Sequence, residues 1–429
     1  MTASPAAPSD HGLRTTFPAT LLIALAALAA VAPLATDAYL PAFAQMADDL
    51  GVSASSVQLT MTTFLVGIAL GQLGIGVLSD RVGRRPLVLW GSVLALAASV
   101  AAALAPGLAL LLIARFFQGL GGAAGMVLGR ALISDRSRGI TAARALSVVM
   151  AIQGIAPVVA PILGGVLVEP IGWRGILGVV AAFTGLLVVM VLLWVPESLP
   201  AERRHDGGLR MLLDGTRELA RDHVLVRLLF INALSFGLLM AYLSAAPFVL
   251  RNVLGMGTVA YTAVFGLCGA TVTVTIAVAA SLVRRFSQAR QVRVGLIAGL
   301  VVDTVFAGVC LMWLREPVTG PERMPLLVAV VALFLAHVAC LGLSMGNAPA
   351  LALDRTGRWA GTGSALLGFL QFVVGGLVSP LVGLTGEASG VAFGVVIVAV
   401  GAIANILAVF GLRERGEKQR LAAQVTECR

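Results

Sequence analysis

A chain of 429 residues that is 59% hydrophobic and 12% charged carries half the charge of a soluble protein, which holds about 25%. That composition excludes an ordinary water-soluble domain and reads as a polytopic membrane protein. Cys268, Cys310, Cys340 and Cys428 show no CxxC spacing, and three of them lie in apolar runs, so neither a disulfide framework nor a metal site is expected.

After an N-terminal tail, 1–18, the chain shows twelve apolar runs long enough to span a bilayer. They cover roughly 19–44, 55–78, 86–104, 108–128, 145–168, 175–195, 225–249, 259–283, 294–314, 325–350, 362–383 and 389–411. The first run contains "APLATDAYLPAF", with Asp37 inside it. Apolar sequence continues to Met46, and Asp48 and Asp49 make the better membrane boundary. Apolar surroundings favour the neutral form of a carboxylate, which suits Asp37 to picking up and releasing a proton.

Gly67 and Gly71 in run 2, and Gly121, Gly125 and Gly129 in run 4, are spaced four apart, so each set lies on one helix face suited to close packing. Between runs 2 and 3 stands "GVLSDRVGRRP", with Gly76, Asp80, Arg81, Gly83, Arg84 and Arg85, a tight charged turn. Run 4 holds Arg115 in "RFFQGLGG"; an arginine within a span faces a cavity or a partner acid as a rule. Run 5 reads "GIAPVVAPILGG", with Gly154, Pro157, Pro161, Gly164 and Gly165 on one helix. The polar stretch after run 6 carries Leu209, Leu212, Leu213, Leu219 and Ala220 near one helical face, the pattern of an amphipathic helix lying on the membrane.

That stretch divides the chain into a six-helix bundle, 19–196, a linker, 197–224, a second bundle, 225–411, and a tail, 412–429. Transporters built from repeats place the substrate between two such halves. In the second half Asp303 and His337 are isolated polar groups within spans, each read as a packing residue. Tyr39, Gln58, Gln118, Gln153, Asn232, Phe236, Tyr242, Asn347 and Gln371 are polar or aromatic candidates for lining a substrate cavity.

With the N-terminus inside, 25 of the 30 basic residues fall on the inner side, four on the outer, and Arg115 within a span. This bias places both termini in the cytoplasm and assigns the net charge of +9 to topology and anionic lipid rather than nucleic acid. No Walker A glycine loop is present, which argues against ATP-driven pumping. The spans contain too few His, Cys and acid groups for a membrane-embedded enzyme.

Three of these stretches together resemble the major facilitator superfamily. "GVLSDRVGRRP" is similar to its signature between helices 2 and 3, "RFFQG" to its helix-4 motif, and "GIAPVVAPILGG" to its antiporter motif, with Ala160 where a glycine is usual. "TDAYLPAF" and "GTGSALLGFLQFVVGGLVSPLVG" resemble the Bcr/CflA branch of drug:proton antiporters. The resemblance implies an all-α fold of two pseudo-symmetric six-helix bundles in a bacterial cytoplasmic membrane. It implies export of drugs or small toxic molecules, chloramphenicol-type antibiotics among them, against inward proton flow, with no cofactor and as a monomer. Asp37 and Arg115 would couple protons or contact substrate, and Asp80 would latch onto a helix N-terminus of the second half. A metabolite such as a siderophore, sugar or amino acid is the alternative cargo.

Overall fold

The computed structural model describes residues 18–427, apart from 138, 201, 203, 205–207 and 387. Within helices the side chains at 54, 139, 140, 142, 143, 146, 147, 150, 151, 153, 154, 157, 158, 209 and 410–427 lie outside the description. Every regular element among the described residues is helical. The chain runs α1 Ala19–Asp37, α2 Phe43–Leu50, α3 Ala54–Val82, α4 Arg84–Ala103, α5 Leu108–Arg136 and α6 Gly139–Trp194. It continues through α7 Gly208–Ala220, α8 His223–Pro247, α9 Thr258–Leu282, α10 Gln288–Trp313, α11 Arg323–Leu353, α12 Ala360–Val378 and α13 Val391–Glu427.

Eleven stretches of the described residues are long and apolar enough to cross a membrane. The 56 residues of α6 would reach about 84 Å as one rod, far more than a bilayer. Gly172 breaks them with φ 64° and ψ −179°, and the two arms bring the crossings to twelve.

The first run differs from its sequence reading as a single helix to residue 44. Pro41 lacks the N–H that would bond the Asp37 carbonyl, and its ring clashes with that carbonyl four residues back. Accordingly α1 ends at Asp37, a 3₁₀ turn covers Leu40–Ala42, and α2 restarts at Phe43. At the far end of α2, Gln45 Oε1 accepts from the Trp173 N–H at 3.1 Å and Asp49 Oδ2 from Trp173 Nε1 at 2.9 Å. Asp37 thus precedes Asp49 by twelve residues, with the break between them.

Helices α1 and α3–α6 pack on one another, as do α8–α13. The glycine expectation holds for Gly67, whose missing Cβ would lie 2.1 Å from the Phe116 carbonyl oxygen of α5, and fails for Gly129, which meets no neighbour within 4 Å. At the Arg-poor end one buried cluster joins both halves, from Tyr39, Met46 and Phe64 to Tyr242, Phe265 and Phe334. At the Arg-rich end the core divides into two separate clusters. One is built on Leu25, Leu128 and Leu187 of the first half, the other on Leu225, Leu351 and Ala404 of the second. The halves are therefore fused at one end and parted at the other.

Candidate functional site

The break after α1 places Asp37 among buried groups. Its side chain is 3% exposed, beside Thr36, whose hydroxyl donates to the Ala32 carbonyl at 3.0 Å. On the other side of the break, α6 presses close. A Cβ on Gly164 would stand 1.7 Å from the Ala38 carbonyl oxygen, and one on Gly165 would stand 2.2 Å from Thr262 Oγ1 of α9. Two adjacent glycines thus serve two surfaces, one inside the first half and one between the halves. Pro161 beside them is buried, whereas the side chains of Gln153 and Pro157, like position 154, lie outside the described residues.

Two residues from Asp37, at Tyr39, begins a polar chain through the first half. The Tyr39 hydroxyl bonds Thr60 Oγ1 at 3.0 Å. Arg115, fully buried, lies 4.5 Å over the Tyr39 ring and 4.4 Å over the Phe64 ring. It donates through Nε to the Thr60 carbonyl at 3.4 Å and through Nη1 to Gln118 Oε1 at 2.6 Å, and Gln118 Nε2 donates to Ser99 Oγ at 2.7 Å. Two aromatic faces and neutral oxygens hold the cation, while its Nη2 is left without a hydrogen bond. Sequence reasoning found Tyr39, Arg115 and Gln118 but missed Thr60, Phe64 and Ser99. Only the hydroxyls within apolar runs could have pointed to two of these.

The contact between halves is polar as well as apolar. Gln58 Nε2 of α3 donates to the Ser244 carbonyl of α8 at 3.4 Å, Thr62 Oγ1 to the Gly376 carbonyl at 2.8 Å, and Arg251 Nη1 to the Pro41 carbonyl at 2.7 Å. Arg251 therefore reads the segment freed by Pro41. Asn232 Nδ2 donates to Gln371 Oε1 at 3.1 Å and Phe236 meets Phe372 edge-on at 5.3 Å, both between α8 and α12. Tyr242 packs between Phe265 and Phe334, with its hydroxyl unpaired. Asn347 stands apart from the other candidates. Its amide is spent on Gln291 Oε1 and the Leu343 carbonyl, which ties α11 to α10.

At the Arg-rich end the charged turn is braced from within its own half. Gly83 holds φ 111°, and a Cβ there would lie 2.5 Å from Glu197 Oε2. Glu197 Oε1 accepts from the Arg84, Ser198 and Leu199 N–H groups at 2.9–3.0 Å. Burial works against this carboxylate's charge, but those amides outweigh it and hold Glu197 below the usual glutamate range. Arg84 pairs with Asp80 at 2.7 Å and Asp135 at 3.2 Å, and Arg85 donates to the Leu192 carbonyl at 3.0 Å.

The expected contact of Asp80 with the second half is not made in this structure. Asp80 and Arg84 instead face the start of α12 across a cavity of about 540 Å³, lined also by Gln72, Arg130, Met211 and Thr362. The contact is missing because the halves are parted at this end. The linker helix α7 forms part of the cavity wall through Gly208, Met211 and Leu212. It docks on the second half through Glu218–Arg358 at 2.7 Å, with Gly215 against Trp359. Leu219 is buried as expected of the apolar face, but Leu213 is 48% exposed.

Two halves fused at one end, parted at the other and enclosing a ligand-sized cavity agree with the comparisons to known proteins. The family model "Major Facilitator Superfamily" matches residues 25–380. The chain belongs to that superfamily. It is 33% identical over 399 residues to "Uncharacterized MFS-type transporter YdgK" of Bacillus subtilis (strain 168), covering 91% of this chain and 95% of that one. It is 29% identical over 362 residues to "Bicyclomycin resistance protein homolog" of Haemophilus influenzae, covering 84% and 88%. The solved structure of a bacterial homologue of the human lysosomal transporter Spinster matches with a TM-score of 0.71 at 15% identity, over 91% and 95% of the two chains; at that identity it shares the fold alone. The relatives agree with the Bcr/CflA-type resemblance carried by "TDAYLPAF", and the chain is a membrane transporter rather than an enzyme.

Proposed function

We propose that this transporter exports drugs or other small toxic molecules from the bacterial cytoplasm in exchange for protons, by alternating access. The observation that carries the reading is Asp37, an acid buried at the broken end of α1, where Gly164 and Gly165 press α6 against both that break and α9 of the other half. The relative named for bicyclomycin resistance supports a drug as cargo, and bicyclomycin joins chloramphenicol-type compounds as the first to test. The arginine bias supports an Arg-rich cytoplasmic face with both termini inside, so the structure faces inward. The protein works as a monomer without a cofactor and in contact with anionic lipid.

In this state substrate enters the cavity from the cytosol or inner leaflet while Asp37 gives up its proton inward. Parting of the Arg-poor end then opens Asp37 outward. It takes a proton there, the substrate leaves, and the neutral acid returns. Each proton moving inward contributes about 2.3 kcal/mol per 100 mV of membrane potential. The motif cation Arg115 sits on the Tyr39 ring two residues from Asp37, with one free N–H pair, and answers the acid's change of charge through that aromatic and Thr60.

The test is growth of a pump-deleted bacterial host on phenicols, bicyclomycin and ethidium, with and without an uncoupler. Expression of the wild type should protect, the uncoupler should remove protection, and Asp37→Asn should protect no better than an empty vector while reaching the membrane at wild-type level. Full uncoupler-sensitive protection by Asp37→Asn would remove Asp37 from the mechanism, and protection against none of the compounds would favour a metabolite as cargo.

A further inference from the structure

The second half contains a buried pair for which the transport cycle above has no use. Asp303 of α10 and His337 of α11, 34 positions apart, meet with His337 Nδ1 2.5 Å from Asp303 Oδ1, both 1% exposed. Their side chains line a small void with Leu238 of α8, Leu296, Gly299 and Leu300 of α10, Cys340 and Ser344 of α11, and Gly401 of α13. Gly401 makes room for the carboxylate, since a Cβ there would stand 3.3 Å from Asp303 Oδ2. The void measures about 10 Å³, which admits roughly one water.

The second ring nitrogen sets this pair apart from a packing contact. His337 Nε2 is buried without a hydrogen bond, a cost that a purely structural histidine avoids by pairing both nitrogens. Leu238 of α8 lines the void beside the ring, and its backbone is the neighbouring acceptor. A helical carbonyl already bonded along its own helix keeps a second lone pair for such a donor.

We infer that Asp303 and His337 form a second proton-binding site, distinct from Asp37, whose loading draws α8 toward α11. With Nδ1–H donated to the Asp303 carboxylate, the neutral imidazole presents a lone pair at Nε2. A proton arriving there makes the imidazolium, and the new Nε2–H donates to the Leu238 carbonyl. The pair then carries no net charge, whereas without the proton it leaves one negative charge within the membrane. No bond other than that N–H forms, and proton release reverses both steps.

The other groups around the pair leave it in charge of the response. From α11 the Cys340 thiol is the further titratable group among the described lining residues. From α8 come the Leu238 backbone and Ser235, whose hydroxyl is already bonded to Ser344 at 2.8 Å. From α13, Asn405 is spent on the Leu296 and Gly401 carbonyls. A shift of α8 is not confined to this site, because the same helix carries Asn232, Phe236 and Tyr242 and reaches Gln58 of the first half through Ser244. This second site rests on the proton-coupled reading above, but its test needs no substrate.

The experiment uses the purified full-length wild type in detergent. Histidine ring bands in pH-dependent infrared difference spectra, assigned by their loss in His337→Gln, should show His337 titrating reversibly between about pH 5 and pH 9. Hydrogen exchange of residues 232–244, corrected for intrinsic rate, should be about tenfold slower in the protonated form, the factor one added hydrogen bond supplies. Asp303→Asn should move the titration and remove the pH dependence of exchange, and Asp37→Asn should leave both intact. A silent His337 in the wild type, or exchange in α8 that ignores its titration, would reduce the pair to a packing contact. Either outcome leaves the role of Asp37 standing, and failure of Asp37 in the growth assay leaves this titration standing.

Discussion

Gly165→Ala is the sharpest perturbation of the contact between halves. Its new Cβ would stand 2.2 Å from Thr262 Oγ1 and 3.2 Å from Thr262 Cγ2, where ordinary contact begins near 3.4 Å. The cheapest relief is rotation of Thr262, which gives up its 2.8 Å bond to the Thr258 carbonyl at about 1 kcal/mol. Residual overpacking brings the cost to about 1–3 kcal/mol. Because α6 and α9 belong to different halves, this cost falls on the state closed at the Arg-poor end and is relieved when that end opens. The ratio of open to closed forms should therefore rise roughly 5- to 150-fold. Spin labels at Asp48→Cys on α2 and Val259→Cys on α9, in a chain with its native cysteines replaced, report that ratio as a distance distribution. Gly165→Ala should add a longer population, and Thr262→Ala introduced with it should restore most of the short one. An unchanged distribution, or no relief from Thr262→Ala, would refute the assignment of this contact as the closing surface.

Two further outcomes follow from the packing. Arg115→Lys keeps the charge but loses the planar stack on Tyr39 and Phe64 and the fork to Thr60 and Gln118. It should lower thermal stability by about 2 kcal/mol and should not restore export, as melting curves and the growth assay would show. Glu197→Gln weakens the brace on the charged turn by about 1 kcal/mol at neutral pH. Since Glu197 is held below its ordinary value of 4.5, its contribution is complete above that value and is lost as pH falls through the lower folded value. The two melting curves should therefore differ at pH 7 and converge in acid.

Much of this was legible because a membrane simplifies the reading. Apolar length set the spans, and scarcity of charge singled out Asp37, Arg115 and Asp303. Even the break in the first run was encoded by Pro41 standing four residues after Asp37, although run length alone hid it. What was not legible depends on contacts between helices. Thr60 and Ser99 are ordinary hydroxyls until α3 and α4 bring them to Arg115 and Gln118. Asp303 and His337 read as separate packing residues until α10 and α11 set them face to face. The partner expected for Asp80 in the second half depends on how the halves are set, and here a cavity lies between Asp80 and the start of α12.

The anchoring of the linker sets a leash on the whole machine. Leu199 is still tied through Glu197 to Arg84 of the first half, while Gly208 already opens the helix that Glu218 and Arg358 fasten to the second. Only residues 200–207 remain between Leu199 and Gly208, nine Cα steps that span about 30–32 Å when pulled straight. However far the Arg-rich end opens, those two anchor points cannot separate beyond that reach. The leash thus limits how far the two halves can part at that end, independently of the contacts at the other.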